Sequence, residues 1–558
     1  NGEEFSMRRN FYNKPLATFN WDWEISDNLK LVTSMYGSAG RGGGTGPRGK
    51  NYYNSATDIL PFRKDLTEHY LENGNGSRDS ITGAIDFDAI VASNQNSTDD
   101  YTGDISGFAG QKIGSNGFQD SSVNRAVLIR RASMNSHDWV GVISNLEGQF
   151  GNFKTSIGVD LRSYTGYHYR VVNNLMGLDG YYSTGNKNSN GQIINTTVNA
   201  SPFNNTGLNG PKIDYYNVGV VGWQGLNGLV EYNKDGKYNA VIQGGLSNQS
   251  FQRKDYFDQP EMPISDVHNQ LGGYAKGGVN YNVSDVHNIF VNTGYISRQA
   301  QFGAVFPNYA NVVNPDLENE EIISFEVGYG YNAKNLTINV NAYSTTWGNR
   351  FQTVSLSNSQ GVDGSAQFSD IDVRHNGIEL EADYFATSKL RLKAMVSLGD
   401  WRYTKDFTAA LFDDNQEQIG EGTLYLKGAK VGDAAQTTAY FTADYKLVKS
   451  TSVDLGVRLV DGLYADYSIV DEEFYTPDNR GAVKLPSYGL VDLGLTSRFK
   501  NWTLRLNVNN LLNTVYIAES NTSIHAEEGD VTWNGVDVRN SVWFGFGRTW
   551  NASLKYNF

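Results

Sequence analysis

The sequence predicts an all-β fold, an antiparallel barrel crossing a membrane. Three observations carry that prediction: a composition of strand and turn formers, strands with one apolar and one polar face, and connections that alternate between very short and long. Among 558 residues, 60 Gly, 34 Tyr, 27 Phe and 10 Trp stand against 11 Pro, with Asn and Ser abundant throughout. Aromatic and β-branched residues interleaved with Gly, Asn and Ser suit strands and turns. Mean hydropathy is −0.47, and no run approaches the ~20 apolar residues that a membrane-crossing helix needs. That excludes a helical membrane protein. It leaves a barrel open, because barrel strands show lipid only every second residue and average out as polar.

Two-faced strands are clearest at the C-terminus. Trp550, Ala552, Leu554, Tyr556 and Phe558 make an apolar row, and Asn551, Ser553, Lys555 and Asn557 fall between them. Upstream, Trp502, Leu504, Leu506 and Val508 alternate with Thr503, Arg505, Asn507 and Asn509. The same reading applies to 336–343, 377–384, 390–397 and 453–459. A soluble sandwich would use such strands equally well, with the apolar face turned into a core about 10 Å thick.

Connection lengths separate the two architectures. Tight turns are expected at Ser26–Asn28, Gly151–Asn152, Asn233–Gly236, Ser284–Asp285, Ala333–Lys334, Thr387–Ser388, around Ser450 and at Lys500–Asn501. Between them lie long polar connections: Arg41 to about Asn135, Gly166–Tyr216, Arg253–Asp266, Ala300–Glu318, Gly348–Asp370, Asp406–Ala434, Tyr464–Pro486 and Tyr516–Val538. Strict alternation of this kind marks outer-membrane barrels, with short turns on the periplasmic side and long loops outside. About seventeen strands follow, the first near Leu16–Ile25 and running from an outside loop inward. Bacterial single-chain barrels close with an even number of strands and keep both termini in the periplasm. An odd count therefore implies further strands before Asn1, where no secretion signal is present, as expected of a processed or truncated chain.

Aromatics fall where headgroup girdles form: Trp21 and Trp23 before a tight turn, Tyr329 and Tyr331 likewise, Trp502 after one, and Trp347 and Trp543 at loop ends. The formal charge of −14 argues against nucleic acid as a partner, since phosphate binding needs basic patches. The absence of Cys removes any disulfide framework. Gly44-Thr-Gly-Pro-Arg-Gly49-Lys50 has phosphate-loop spacing, but Asn51 stands where Ser or Thr should hold magnesium, so a Gly-rich outside loop is expected. The seven His (69, 137, 168, 268, 287, 375 and 525) form no paired metal motif. Carboxylate pairs such as Asp99-Asp100, Glu472-Glu473 and Glu527-Glu528 read as solvated loop surface. No catalytic, cofactor or metal site is expected.

Three segments carry a family resemblance. Leu485-Pro-Ser-Tyr-Gly-Leu-Val-Asp-Leu-Gly494 and Val508-Asn-Asn-Leu-Leu-Asn-Thr-Val-Tyr516, with the terminal Phe558, resemble the closing strands of TonB-dependent outer-membrane receptors. Asn314-Pro-Asp-Leu-Glu-Asn-Glu320, followed by Ile323–Tyr331, is similar to the start of a mid-barrel strand in that family. The Asn, Ser and Gly-rich loops resemble Bacteroidota-type members. The resemblance implies a barrel of about 22 strands around an N-terminal plug. It also implies a bacterial outer-membrane location and TonB-dependent active import of a scarce nutrient: an oligosaccharide, peptide, siderophore or similar ligand. Residues 1–558 are then one barrel domain lacking its first strands and plug. Partners implied are the TonB complex through the plug, outer-membrane lipid and lipopolysaccharide, the nutrient ligand and, in some members, a surface lipoprotein. A passive porin or secretion channel is the alternative, and a soluble β-rich adhesin or lectin a more distant one.

Polar faces supply the residues expected to line the lumen and meet a plug: Glu326, Glu379, Glu381, Asp383, Arg391, Lys393, Asp454, Arg458, Asp492, Arg498 and Arg505. A water-filled porin can line itself with charges too. Ligand recognition is expected of loop and upper-lumen aromatics that stack on or hydrogen-bond a ligand: Tyr167, Tyr169, Trp347, Phe351, Trp401, Tyr464, Tyr467, Tyr475 and Trp533. Packing or girdle roles compete for each. Trp550, Leu554, Tyr556 and Phe558 form the C-terminal barrel signature.

Overall fold

The computed structural model describes residues 5–49, 51–52, 59–60, 87, 90–91, 94, 113–115, 128–189, 191–199, 201, 203, 207–357, 363–413, 418–467 and 471–558. His69, Lys50 and the Asp99-Asp100 pair lie outside the described residues.

Among the described residues one antiparallel sheet of 20 strands dominates. Three of its members are short, Asn10–Asn13, Phe407–Asp413 and Gln418–Leu424, which leaves seventeen that form the wall. In chain order these are β1 (Leu16–Ser26), β2 (Leu29–Gly49), β3 (Leu128–Phe150), β4 (Phe153–Asn174), β5 (Ile213–Lys234), β6 (Tyr238–Asp255), β7 (His268–Asn282), β8 (His287–Arg298) and β9 (Glu320–Asn332). Then come β10 (Leu336–Ser357), β11 (Asp363–Phe385), β12 (Leu390–Tyr403), β13 (Thr437–Val448), β14 (Thr451–Asp461), β15 (Tyr488–Phe499), β16 (Trp502–Asn509) and β17 (Thr549–Tyr556). Each pairs antiparallel with its sequence neighbours, so the wall is a meander.

The tight turns all fall at one end. At β5–β6, Lys234 pairs with Tyr238 across three residues, of which Asp235 (φ 54°) and Gly236 (φ 65°) take the left-handed conformation that suits the twist of the flanking strands. At the other end, Asn510 (φ 49°) and Asn513 (φ 56°) shape the chain's exit from β16. The Asn510 amide bonds both the N–H and the carbonyl of Thr514 at 2.8 Å, which is the physical content of the Asn-rich segment after Val508.

Register sorts the side chains onto two faces. Opposed residues of paired strands point the same way, so the row Val291, Val327, Ala342, Ile378, Leu398 runs across five strands on one face. On that face Ile242 is 66% exposed and Leu271 75%. Contiguous bare apolar surface on this scale is untenable in water and suits a lipid boundary. Its lower rim carries aromatic pairs: Trp21 with Trp23 (5.9 Å between centroids), Phe153 with Tyr232 (4.9 Å), Tyr238 with Tyr281 (5.0 Å) and Trp502 with Tyr556 (4.7 Å). Among the described residues no helix is long and apolar enough to cross a membrane.

The structure corrects both boundaries of three connections. Arg41 to about Asn135, Gly166–Tyr216 and Gly348–Asp370 were expected as loops, yet strands continue through Gly49, Asn174 and Ser357 and begin again at Leu128, Ile213 and Asp363. β2, β3, β4, β5, β10 and β11 are 21 to 23 residues long, about 70 Å at 3.3 Å per residue, whereas a tilted strand crosses the apolar band in about 10. Their upper halves stand outside the membrane as a palisade, and there both faces are covered. Phe11, Met134, Tyr169 and Val198 pack on the outer side, while Ile129, Leu178, Tyr181 and Ile194 pack on the inner side. Alternation ceases to show once both faces are buried, which is why these extensions read as loops. The Gly44–Gly49 stretch lies within β2, paired to β3 from Ser133 to Leu128, and is therefore strand. Trp347 and Trp543 also leave the girdle. Trp347 faces inward, and Trp543 sits in a loop ladder opposite Glu519.

Candidate functional site

The inner face is the one opposite the apolar rows, and the site is built on it from the periplasmic end upward. All eleven residues expected to line the lumen share this face. Glu326 opposes Asn292, Glu379 and Glu381 oppose Asn341 and Asn339, and Asp383 opposes Lys393. Arg391 opposes Asp444, which opposes Asp454; Arg458 opposes Tyr440; Asp492 opposes Gly456; Arg498 opposes Thr503; and Arg505 opposes Thr496. Period-two alternation alone places them.

Their pairing is partial. Arg391 makes a two-pronged bond to Asp383, with Nε to Oδ1 at 2.8 Å. Arg505 grips both oxygens of Asp454 and also donates to Thr496 Oγ1 at 2.9 Å. Higher up, the Asn341 amide bridges Glu326 (3.0 Å) and Glu379 (3.2 Å), and Asn292 donates to Glu326 at 3.1 Å. Glu381, Lys393, Asp444 and Arg458 form no ion pair among the described residues. Glu381, Asp383, Arg391, Lys393, Asp444, Asp454 and Asp492 together line a recess of about 650 Å³.

Near the outer end of β8–β11, Trp347 and Phe351 line a second recess of about 270 Å³ with Arg298, Glu320, Asn349 and Arg350. Glu320, 8% exposed, accepts from Arg298 and lies 3.5 Å from Arg350 Nε. Register shifts between Trp347 and Gln352, with Asn349 at φ 57°, go with a lining that takes in Asn349, Arg350 and Phe351 consecutively beside Trp347. Trp347 and Tyr467 both pack against the buried cluster of Phe368, Tyr403, Phe407 and Phe474, and Tyr467 donates to Gln352 at 2.8 Å. Burial first, then the Asp466 charge, raises the Tyr467 hydroxyl well above the usual phenol range.

The remaining aromatics are dispersed. Trp401 donates to Tyr343 Oη at 3.1 Å, and its ring lies 5.2 Å from His375. Tyr464 sits under Lys430 at 5.8 Å. Trp533 packs on Phe544 with centroids 5.2 Å apart, and Tyr475, in the single turn Glu472–Tyr475, is half exposed. Tyr167 and Tyr169 share the outer face with Val159 and Leu161, and Tyr169 is fully buried. The structure thus brings together Trp347, Phe351 and Tyr467. Sequence reading missed Arg298, Glu320 and Arg350; the available signal was a charge at the last inner-facing position of each of two neighbouring strands.

Trp550, Leu554 and Tyr556 lie on the lipid-facing side of β17, and the Phe558 ring meets Tyr556 at 5.1 Å. Among the described residues no group of three or more His, Asp or Glu is arranged to hold a metal ion.

A meander whose apolar face is ringed by aromatics, with tight turns at one end, a charged inner face and tall loops at the other, is an outer-membrane β-barrel wall. The chain belongs to the TonB dependent receptor-like β-barrel family, whose model matches residues 12–511. Solved structures agree on the fold. The copper transporter OprC is similar over 98% of this chain and 65% of its own, with a TM-score of 0.58 and 13% identity. The ferric citrate transporter FecA matches over 98% of this chain and 61% of its own, with a TM-score of 0.58 and 12% identity. The ferric-catecholate import receptor Fiu from E. coli matches over 98% and 64%, with a TM-score of 0.56 and 14% identity. The chain thus spans less than two thirds of these proteins. No curated protein matches it. The family is one of bacterial outer-membrane receptors, and that membrane is where this chain resides.

Proposed function

We propose that the protein is the barrel of a TonB-dependent transporter that actively imports a scarce nutrient across the outer membrane, and that it is not an enzyme. One observation carries the reading beyond family membership. Glu381, Lys393, Asp444 and Arg458 make no ion pair with one another or with other described wall residues. Mixed charges left open on adjoining strands suit a polar plug seated against them, as expected of a barrel of about 22 strands. TonB would act through that plug. The ligand would meet the upper recess, where Trp347 and Phe351 offer stacking surfaces and Arg298, Arg350 and Asn349 offer donors. Tyr167, Tyr169, Trp401, Tyr464, Tyr475 and Trp533 complete the proposed recognition set, Tyr169 only by supporting the loops. Oligosaccharides, peptides and siderophores all fit such a lining. The loops are tall enough to take a lipoprotein lid of the Bacteroidota kind.

The test compares nutrient depletion by cells with and without the gene, before and after a protonophore. Depletion that needs both the gene and an energised membrane is the expected result; gene-dependent depletion indifferent to the protonophore would instead make the barrel a passive channel.

A further inference from the structure

A third recess on the inner face has a different character from the mixed-charge wall. At the outer end of β2 the short strand Asn10–Asn13 pairs with Arg41–Gly44, and β3 runs along the other side. Arg8, Asn10, Tyr12, Arg131, Ser133 and Asn135 are among the residues lining a hollow of about 610 Å³. Among the described residues its lining contains two guanidinium groups and no carboxylate, in a chain whose net charge is −14.

The nearby charges deepen the imbalance. Arg131 donates to the Gly44 carbonyl at 3.0 Å, a neutral acceptor. Arg170 stands behind Ser133, bonded to its Oγ at 3.1 Å, and shares the single carboxylate of Asp214 with Arg48, at 2.8 and 3.1 Å. Asp214 is thereby occupied twice, and Arg8 and Arg131 form no ion pair among the described residues. Burial first and then Arg170 pull the Arg131 guanidinium below its usual range, Arg8 adding to them while Tyr215 and Asp214 pull the other way. On the same wall His168, bonded to Asn135 at 2.9 Å, is pulled down by burial and then by Arg253. Neighbouring cations with no ion-pair partner of their own oppose one another, and an anion bound between them relieves that repulsion.

We infer that this hollow is an oxyanion subsite in which Arg8 and Arg131 hold a carboxylate or phosphate group of the ligand, with the Tyr12, Asn10 and Asn135 side chains as neutral hydrogen-bonding partners. The inference rests on the import reading only in assigning that anion to the transported ligand. Two guanidiniums offer paired N–H donors to either oxyanion.

The experiment is equilibrium binding of inorganic phosphate and, separately, of tricarballylate to the full-length protein in detergent micelles. Saturable binding of at least one anion is expected, weakening about tenfold in Arg131→Gln and in Arg8→Gln. Arg131→Lys, which keeps the charge but loses the paired N–H donors, should weaken binding less than Arg131→Gln, and Lys449→Gln, in the exposed β13–β14 turn, should retain all. Arg8→Gln keeps the test valid if Arg131→Gln folds poorly, because Arg8 is an exposed side chain. Whichever anion binds more tightly names the oxyanion. Absence of saturable binding for both, or binding that ignores both substitutions, overturns the subsite. The import reading is judged apart, by protonophore-sensitive depletion, so either proposal can fall while the other stands.

Discussion

Tyr343 on β10 lies across Gly377 on β11 so closely that a Cβ on the glycine would stand 2.5 Å from the ring. The glycine is there because the ring needs its space. Tyr343 in turn accepts the Trp401 indole N–H at 3.1 Å, so one missing methyl group sets the position of two inner-face aromatics across β10, β11 and β12. Gly377→Ala should push Tyr343 aside and break that bond, at a cost of about 1–3 kcal/mol for overpacking. Urea unfolding in micelles, followed by tryptophan fluorescence, reads both effects. An unchanged midpoint and spectrum would show that the contact carries no weight.

The two faces of a single strand make a sharper comparison. Ile242 projects from the middle of the lipid-facing side of β6, and Gln243 beside it projects inward. Ile242→Arg should destabilise the folded barrel by about 2–4 kcal/mol, the cost of a cation near the bilayer midplane, while Gln243→Arg should cost little. Folding equilibria in lipid vesicles measure the difference. Equal effects would mean that the faces have been assigned wrongly.

Among the ligand candidates, burial predicts which substitutions act through stability. Tyr169 is fully buried among Phe11, Met134 and Val198, so Tyr169→Ala should loosen the outer palisade by about 3–5 kcal/mol and open it to limited proteolysis. Tyr475 is half exposed, and Tyr475→Ala should leave protease resistance intact. If both variants are cut alike, the outer cluster does not hold the loops.

A pH dependence follows from three loops that meet. The Asp433 N–H donates to the Tyr464 carbonyl at 3.0 Å, and the Asp466 N–H donates to the Ser520 carbonyl at 2.8 Å. Burial first, then the charges of Asp466 and Glu519, push the Asp433 carboxyl up from 3.8 to about 6. Burial likewise raises Asp466. The folded loops therefore bind a proton more tightly than the unfolded ones, so their stability is full below the ordinary value and is lost as pH rises through about 6. Hydrogen exchange in these loops should quicken across that range beyond its intrinsic pH trend, and Asp433→Asn should flatten the excess. A protection profile that improves with pH would refute the assignment.

Much of this protein could be read along the chain. A pleated strand repeats every two residues, so the rows through Leu336–Tyr343 and Trp550–Phe558 declared their faces locally, and turn residues declared where each strand reversed. That local rule sufficed for seventeen wall strands and for the inner placement of all eleven expected lumen residues. It failed where its physical basis lapses. Above the membrane both faces of β3 and β4 are covered, alternation disappears, and Tyr167 and Tyr169 turn out to lie on the outer side. In β10 the irregular register after Trp347 lets the consecutive residues Asn349, Arg350 and Phe351 all line one recess, which a period of two does not allow. Sites assembled across strands depend on pairings that span long stretches of sequence. Arg8 meets Arg131, and Asp433 meets Asp466 and Glu519, only because successive strands align their outer ends. The strand pattern is thus a property of neighbouring residues, while the recesses, the shared carboxylate of Asp214 and the meeting of loops belong to the assembled sheet.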